Sequence, residues 1–219
     1  MLELFRLRSI QMKRFLFLLA FMYMSFNAFS QVKTIYFDAE DHVIGDSTQA
    51  ISYAIFGKLT GDSVYTFKKY DADGYVMVTG AFKDDSLQVA HGKFIYYDWV
   101  DQLSTLGSTL PVADGKDRYI LTTGRFNDGK REGRWLSFYP NGGLKSVVTF
   151  VDNVLNGESK SFDTKGKLQT SGNFVDGKKD GQWISSGGRK IVQYENGKLL
   201  STVNKSKKEL EAEQNTQKK

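Results

Sequence analysis

The tripeptide Phe-x-Asp stands three times at one interval of 24 residues, as Phe126-Asn127-Asp128, Phe150-Val151-Asp152 and Phe174-Val175-Asp176. Gly133, Gly157 and Gly181 follow at the same interval, and Phe138 with Phe162, and Leu144 with Leu168 and Val192, keep the register. Gly124 with Gly172, and Trp135 with Trp183, return at twice that spacing. Columns kept in step mean one structural unit copied along the chain, and a unit of this length stacks on its neighbours rather than folding alone.

The repeat extends upstream in worn form. Tyr70-Asp71-Ala72-Asp73-Gly74 through Gly80-Ala81-Phe82 aligns without a gap on Phe162-Asp163-Thr164-Lys165-Gly166 through Gly172-Asn173-Phe174, so the array covers residues 66–203. Residues 31–65 precede it as a β leader, and whether they pair with the first unit is open. Between Phe94 and Phe126 the chain is about 17 residues longer than between Trp135 and Phe150, which places an inserted loop at 98–118. Such insertions gather on one face of a repeat protein and often carry binding. The end, 204–219, is charged and lacks an apolar stripe. Ser206-Lys207-Lys208-Glu209 matches a helix-capping pattern, but a disordered tail is the expectation.

Within each unit the local chemistry is that of strands and turns. Asp73-Gly74, Asp128-Gly129, Asn141-Gly142, Lys165-Gly166, Asp176-Gly177 and Asn196-Gly197 are turn dipeptides in which glycine accepts positive φ, flanked by Val, Thr, Phe, Tyr or Trp. Glycine stands two positions before an aromatic at Gly80-Ala81-Phe82, Gly124-Arg125-Phe126, Gly172-Asn173-Phe174, Gly133-Arg134-Trp135 and Gly181-Gln182-Trp183. Residues two apart share a strand face, so the bare glycine leaves room for a ring of the neighbouring strand to cover its backbone. The expected fold is therefore all-β: an elongated single-layer antiparallel sheet of stacked β-hairpins. Phe82, Phe126, Phe150, Phe174, Gly133, Gly157 and Gly181 are its repeat-structural residues.

The absence of cysteine excludes disulfides and thiolate metal sites. A net charge of +5 suggests a nucleic-acid binder, but Arg6, Arg8, Lys13 and Arg14 against Glu3 account for +3 of it within residues 1–30. The remainder interleaves Lys with Asp and forms no basic patch, so no nucleic-acid partner is expected. Met12-Lys13-Arg14, the apolar run from Phe15 to Met24 and Ala28-Phe29-Ser30 read as a signal peptide over residues 1–30, cleaved before Gln31, with Met12 an alternative start and an uncleaved anchor the other reading. The expected location is outside the cytoplasm, in the periplasm or at the outer membrane, with membrane contact only through that segment.

The strings from Gly124 to Leu144 and from Gly172 to Trp183 resemble the bacterial variant of the MORN repeat, in which Gly-x-Phe/Tyr, Asp/Asn-Gly-Lys, Gly-x-Trp and Asn-Gly-x-Leu recur. The segments Thr34 to Asp38 and Tyr53 to Phe56 resemble the leader that precedes such repeats in exported bacterial proteins. The resemblance implies a scaffold for protein–protein contacts, and part of the group carries the label of antitoxin in a toxin-antitoxin pair. It supplies no catalytic residues.

A search for chemistry returns no catalytic set, so no enzyme activity, cofactor or metal is expected. His42 and His91 sit in unrelated contexts, and the repeated Asp84, Asp128, Asp152 and Asp176 serve each unit's turn rather than one centre. The glycine-lysine spacing from Gly124 to Lys130 is discarded as a phosphate cradle, because Arg131 stands where a Ser or Thr would hold magnesium. Partner-binding candidates are Trp99, at the insertion, and Trp135, Tyr139 and Trp183, whose rings would form an exposed platform if they are not core. The expected role is a non-enzymatic envelope scaffold for a protein partner. Alternatives are a cell-wall glycan-binding module, an antitoxin-type partner of a toxin, and a homodimer paired through an exposed terminal strand.

Overall fold

The computed structural model describes residues 32–59, 61–100 and 118–216. Residues 1–30, for which a signal peptide is expected, and positions 101–117 of the insertion lie outside the described residues. Among the described residues, fourteen strands form one open antiparallel sheet, as expected from the repeat. They are β1 (Lys33–Phe37), β2 (Val43–Ile44), β3 (Ser52–Gly57), β4 (Tyr65–Asp71), β5 (Val76–Phe82), β6 (Gly92–Trp99), β7 (Arg118–Asn127), β8 (Lys130–Phe138), β9 (Leu144–Val151), β10 (Val154–Phe162), β11 (Leu168–Val175), β12 (Lys178–Ser185), β13 (Lys190–Glu195) and β14 (Lys198–Asn204). From β14 back to β3 each strand pairs with its neighbour in sequence, and the sheet ends in the order β3-β1-β2.

Two kinds of turn alternate along the sheet. At Asp128-Gly129, Asp152-Asn153, Asp176-Gly177 and Asn196-Gly197 both central residues are left-handed, with φ of 48 to 50° at the first and 73 to 83° at the second. These are tight two-residue turns of the kind that matches strand twist. The second residue's N–H, outside the hairpin's own ladder, donates to the preceding hairpin: Gly129 to Ala90 O (2.8 Å), Asn153 to Arg131 O (3.1 Å), Gly177 to Leu155 O (2.8 Å) and Gly197 to Lys179 O (2.8 Å). One turn geometry thus both closes a hairpin and clips it to the one before.

The opposite edge carries five-residue turns at 38–42, 71–75, 139–143 and 163–167. In each the first N–H donates to the fifth carbonyl and the fourth N–H to the first carbonyl. The fourth residue, Asp41, Gly74, Gly142 or Gly166, is left-handed. Because 38–42 is built like the rest, and β3 pairs with β4 from Ser52↔Asp71 to Gly57↔Thr66, residues 33–57 are continuous with the array.

A second departure from regular pairing recurs inside the units. Register jumps from Thr123↔Leu136 to Arg125↔Glu132, so residues 133–135 stand opposite Gly124, and it jumps likewise from Ser171↔Ile184 to Asn173↔Asp180 opposite Gly172. Gly133 and Gly181, both at φ +68°, make these bulges, and a Cβ at either would touch nothing within 4 Å. The expected ring over those two glycines is therefore absent; they supply backbone conformation instead. At Gly80, Gly124 and Gly172 the expectation holds. An added Cβ would fall 2.4 Å from Phe94, 2.1 Å from Trp135 and 2.2 Å from Trp183, whose rings lie on the glycine backbone.

Phe126, Phe150 and Phe174 occupy equivalent places, facing Gly92, Gly133 and Gly157 of the preceding strands. One face of the sheet buries Phe37, Ala54, Phe56 and Phe67 and continues as a ladder of edge-to-face rings. Centroids are 5.3 Å apart for Phe67–Phe82, 5.5 Å for Phe82–Phe94, 4.9 Å for Phe94–Phe126, 5.1 Å for Phe126–Trp135 and 6.3 Å for Trp135–Phe150. The ladder stops at Ser159, which stands where the other units have tryptophan and pairs with Val148, which stands where they have glycine. Rings resume with Phe174–Trp183 at 5.0 Å. On the other face Val147, paired with Leu136 and Lys160, is 2% exposed.

Three sequence expectations need correction. Asp98, Trp99 and Arg118 belong to strands, with Asp98↔Tyr119 and Trp99↔Arg118 paired, so the ladder runs further into the insertion than 98–118 implied. The array ends at Asn204 rather than 203, and the tail carries a helix, α1 (Lys207–Thr216). Ser206 Oγ accepts from Glu209 N–H (3.3 Å) while the Glu209 carboxylate accepts from Ser206 N–H (2.6 Å), the reciprocal cap that makes a ten-residue helix start here. That contact holds the Glu209 carboxyl below the usual range.

Candidate functional site

The four candidate rings fall into two environments. Trp135 is 8% exposed, lies flat on Gly124 and meets Phe126 and Phe150 edge-on, so it is a rung of the ladder rather than part of an open platform. Trp183 is half-buried over Gly172, donates Nε1–H to Asn173 O (3.1 Å) and has Lys179 Nζ 4.4 Å from its centroid. Tyr139 is half-buried at the five-residue-turn edge, where its hydroxyl donates to Phe162 O (2.8 Å) of the next hairpin. These three act between units. Trp99 is different, being 43% exposed at the end of β6.

Around Trp99 the structure assembles residues that the repeat pattern does not single out. Tyr75, 44% exposed, closes the five-residue turn between β4 and β5, and its ring meets Trp99 at 5.0 Å and 65°. Arg118 opens β7 directly across from Trp99, and its guanidinium carbon is 4.1 Å from the Trp99 centroid and 5.7 Å from that of Tyr75. The guanidinium pairs with the Asp71 carboxylate and donates to Val76 O (3.2 Å). The Arg118 side chain is 9% exposed and its Nε is without a partner among the described residues. On the next residue, burial and then the nearby Asp98 charge push the Tyr119 hydroxyl pKa up.

The result is a cluster of two exposed rings in edge-to-face contact, stacked on a buried arginine whose charge Asp71 balances. Stacking and two hydrogen-bonded contacts fix the arginine, so the rings are held rather than free. Sequence reasoning singled out Trp99 but not Tyr75, Arg118 or Asp71, which the structure places beside it. The one available signal was at Tyr75, which stands where the later units have Gly143 and Lys167. Arg118 could not be placed from sequence, because its pairing with Trp99 depends on a register shift between Tyr96 and Tyr97.

The other polar clusters belong to turns. Asp38, Glu40 and His42 bring ligand atoms within 4.8 Å of one another. Yet Asp38 accepts from His42 N–H (2.8 Å) and Glu40 N–H (3.0 Å), as Asp71 accepts from Tyr75 and Asp73 and as Asp163 accepts from Lys167 and Lys165. The grouping follows from a turn the fold uses repeatedly. His91 lies on the tight-turn edge, Nδ1 3.2 Å from the Asp128 carboxylate, which also pairs with Lys83. The Lys83 contact is the first cause of a lowered Asp128 pKa. Among the described residues no helix is long and apolar enough to cross a membrane.

The profile described as MORN repeat variant matches residues 131–152 and 155–176, which are the units centred on β8–β9 and β10–β11. Two units of the array are thus similar to the MORN repeat variant, and MORN repeats are generally protein- or lipid-binding scaffold modules. No curated protein matches the chain.

Proposed function

We propose that the chain is a non-enzymatic, exported repeat scaffold that holds a protein partner at the bacterial envelope, with the Trp99–Tyr75–Arg118 cluster as its contact. The observation that carries this reading is the pair of rings at 43% and 44% exposure, fixed over an arginine that is 9% exposed. Tryptophan, tyrosine and arginine dominate binding hot spots, and a prearranged cluster of them loses little freedom on binding. Since Asp71 already balances Arg118, the fitting partner group is an apolar side chain rather than a carboxylate. Support for export is the composition of residues 1–30.

The same rings suggest a glycan module, but they meet edge-to-face at 65° and do not form the flat platform on which a sugar stacks. The test is crosslinking in the native host with the wild-type chain and Trp99→Ala. One recurrent protein partner, lost with Trp99→Ala while the thermal melt is unchanged, is the expected outcome. Equal recovery by both forms removes the Trp99 cluster from the reading, and sedimentation of the chain with cell-wall material replaces the protein with a glycan. A mature N-terminus at Gln31 in the periplasm is expected; an unprocessed cytoplasmic chain would favour the antitoxin role.

A further inference from the structure

The sheet face opposite the ring ladder carries a row of tyrosines beside the five-residue turns. Tyr36 pairs with Tyr53 and Tyr53 with Tyr70, and the alternation that buries Phe37, Ala54 and Phe56 turns these three the other way, where each is half-buried. Tyr53 and Tyr70 stack at 5.3 Å and 19°. On the same face Lys68, Thr79 and Ile95 pair in turn, so Tyr97 and Trp99, two and four residues after Ile95, extend the row into β6. From β1 to β6 it crosses four strand steps, about 19 Å, and ends at the exposed Tyr75–Trp99 pair. Hydroxyls and acid coincide here. Tyr70 and Tyr97 stand in the column that Phe138 and Phe162 fill in later units. Along these turns Glu40, Asp46, Asp73 and Asp98 are exposed and have no lysine or arginine partner among the described residues, whereas Asp41 and Asp71 are matched by Lys69 and Arg118. Beyond β8 the same edge exposes Lys145, Lys165 and Lys167 instead. The lysines that β1 to β6 place on the tyrosine face, Lys68 and Lys93, stand one and two rows inward.

We infer that the tyrosine row and the Trp99 cluster together bind an extended, basic, proline-rich segment of the protein partner, an occupant that rests on the Trp99 contact proposed above and gives it a chemistry. At the row each strand from β1 to β6 has a neighbour on both sides, so an incoming segment cannot join the ladder as a further strand. A polyproline helix needs no backbone partner and arrives already ordered, and at about 3.1 Å per residue about six residues of it cover the row. Its flat pyrrolidine rings pack on tyrosine and tryptophan faces, and its outward carbonyls accept from tyrosine hydroxyls. Lysine or arginine set between the prolines meets the unbalanced carboxylates along the turns, which repel an acidic segment.

Fluorescence anisotropy of a dye-labelled peptide of Pro-Pro-Arg repeats, titrated with the full chain, is the test. Saturable binding is expected, at least about tenfold tighter than for an Ala-Ala-Arg peptide of equal length and charge, and none for Pro-Pro-Glu. Tyr53→Ala and Trp99→Ala are each expected to weaken it about tenfold with an unchanged thermal melt. Asp73→Asn combined with Asp98→Asn should weaken it and flatten its dependence on salt. Tyr194→Ala, on the ladder face, should leave it unchanged. Equal binding of the Pro-Pro-Arg and Ala-Ala-Arg peptides, or binding of neither, overturns the inference without any variant. Selective binding that survives Tyr53→Ala overturns it too, and should that variant lose the fold, the peptide pair decides alone. Crosslinking in the native host separates this occupant from the contact it rests on: a partner lost with Trp99→Ala but kept with a folded Tyr53→Ala retains the Trp99 contact and removes the proline-rich segment.

Discussion

At the residue scale, the glycines of this chain divide into two classes that look alike in sequence. Gly124 is needed because Trp135 occupies the space of its side chain, and Gly133 because its φ is +68° in open space. Substitution separates them. Gly124→Ala forces a methyl against a rigid indole and is expected to lose about 3 kcal/mol, the upper range for overpacking. Gly133→Ala meets only the left-handed penalty, about 1–2 kcal/mol. Urea unfolding of both checks the order. The middle unit shows the compensation, with Val148 and Ser159 exchanging bulk across the same pair of columns. Gly124→Val combined with Trp135→Ser is therefore expected to recover part of the loss of Gly124→Val alone, and strict additivity in that cycle would refute a shared volume.

At the scale of elements, the two edges of the sheet are held by different means. The tight turns clip onto one another through backbone N–H groups, whereas the five-residue turns at 38–42, 71–75 and 163–167 open on a carboxylate that accepts from two N–H groups of the turn, and the one at 139–143 opens on Tyr139 instead. Lys167 N–H holds the Asp163 carboxyl below the usual range, as His42 N–H does for Asp38; Gln88 N–H does the same for Asp84 in the longer turn after β5. Folding lowers these pKa values, so their stabilisation is fully present above the unfolded carboxylate pKa and is lost as pH falls through the folded values. The Lys167 and His42 amide signals are expected to shift and to lose protection against exchange below about pH 4, while Gly177 and Gly197, whose amides bond to carbonyls, stay put. Asp163→Asn should abolish the acid step at Lys167 and keep the turn, because the amide oxygen still accepts. An unmoved Lys167 amide down to the unfolding pH would disprove the carboxylate's part.

At the scale of the whole molecule, the rings form one continuous ladder from Phe67 to Phe150 and a short second one at Phe174–Trp183, separated at Ser159. A stacked array is about as stable as its neighbour contacts, so the weak joint defines where it opens first. Native-state hydrogen exchange is expected to show β11 to β14 opening at lower denaturant than β4 to β8; one common opening for all strands would contradict this. Most of the architecture was legible beforehand, because a strand's alternation and a turn's left-handed residues are local properties that a copied unit writes into the chain at a fixed interval. Phe126, Phe150 and Phe174, and the rings over Gly80, Gly124 and Gly172, follow from that interval. The exposure of each ring did not. Trp135 and Trp99 are the same residue type beside the same kind of strand, and only the bulge opposite Gly124 and the shifted register at Tyr96/Tyr97 bury one in the ladder and leave the other over Arg118. Periodicity is carried along the backbone, whereas burial is settled by which neighbour a strand meets across the sheet, and that choice belongs to the tertiary structure alone.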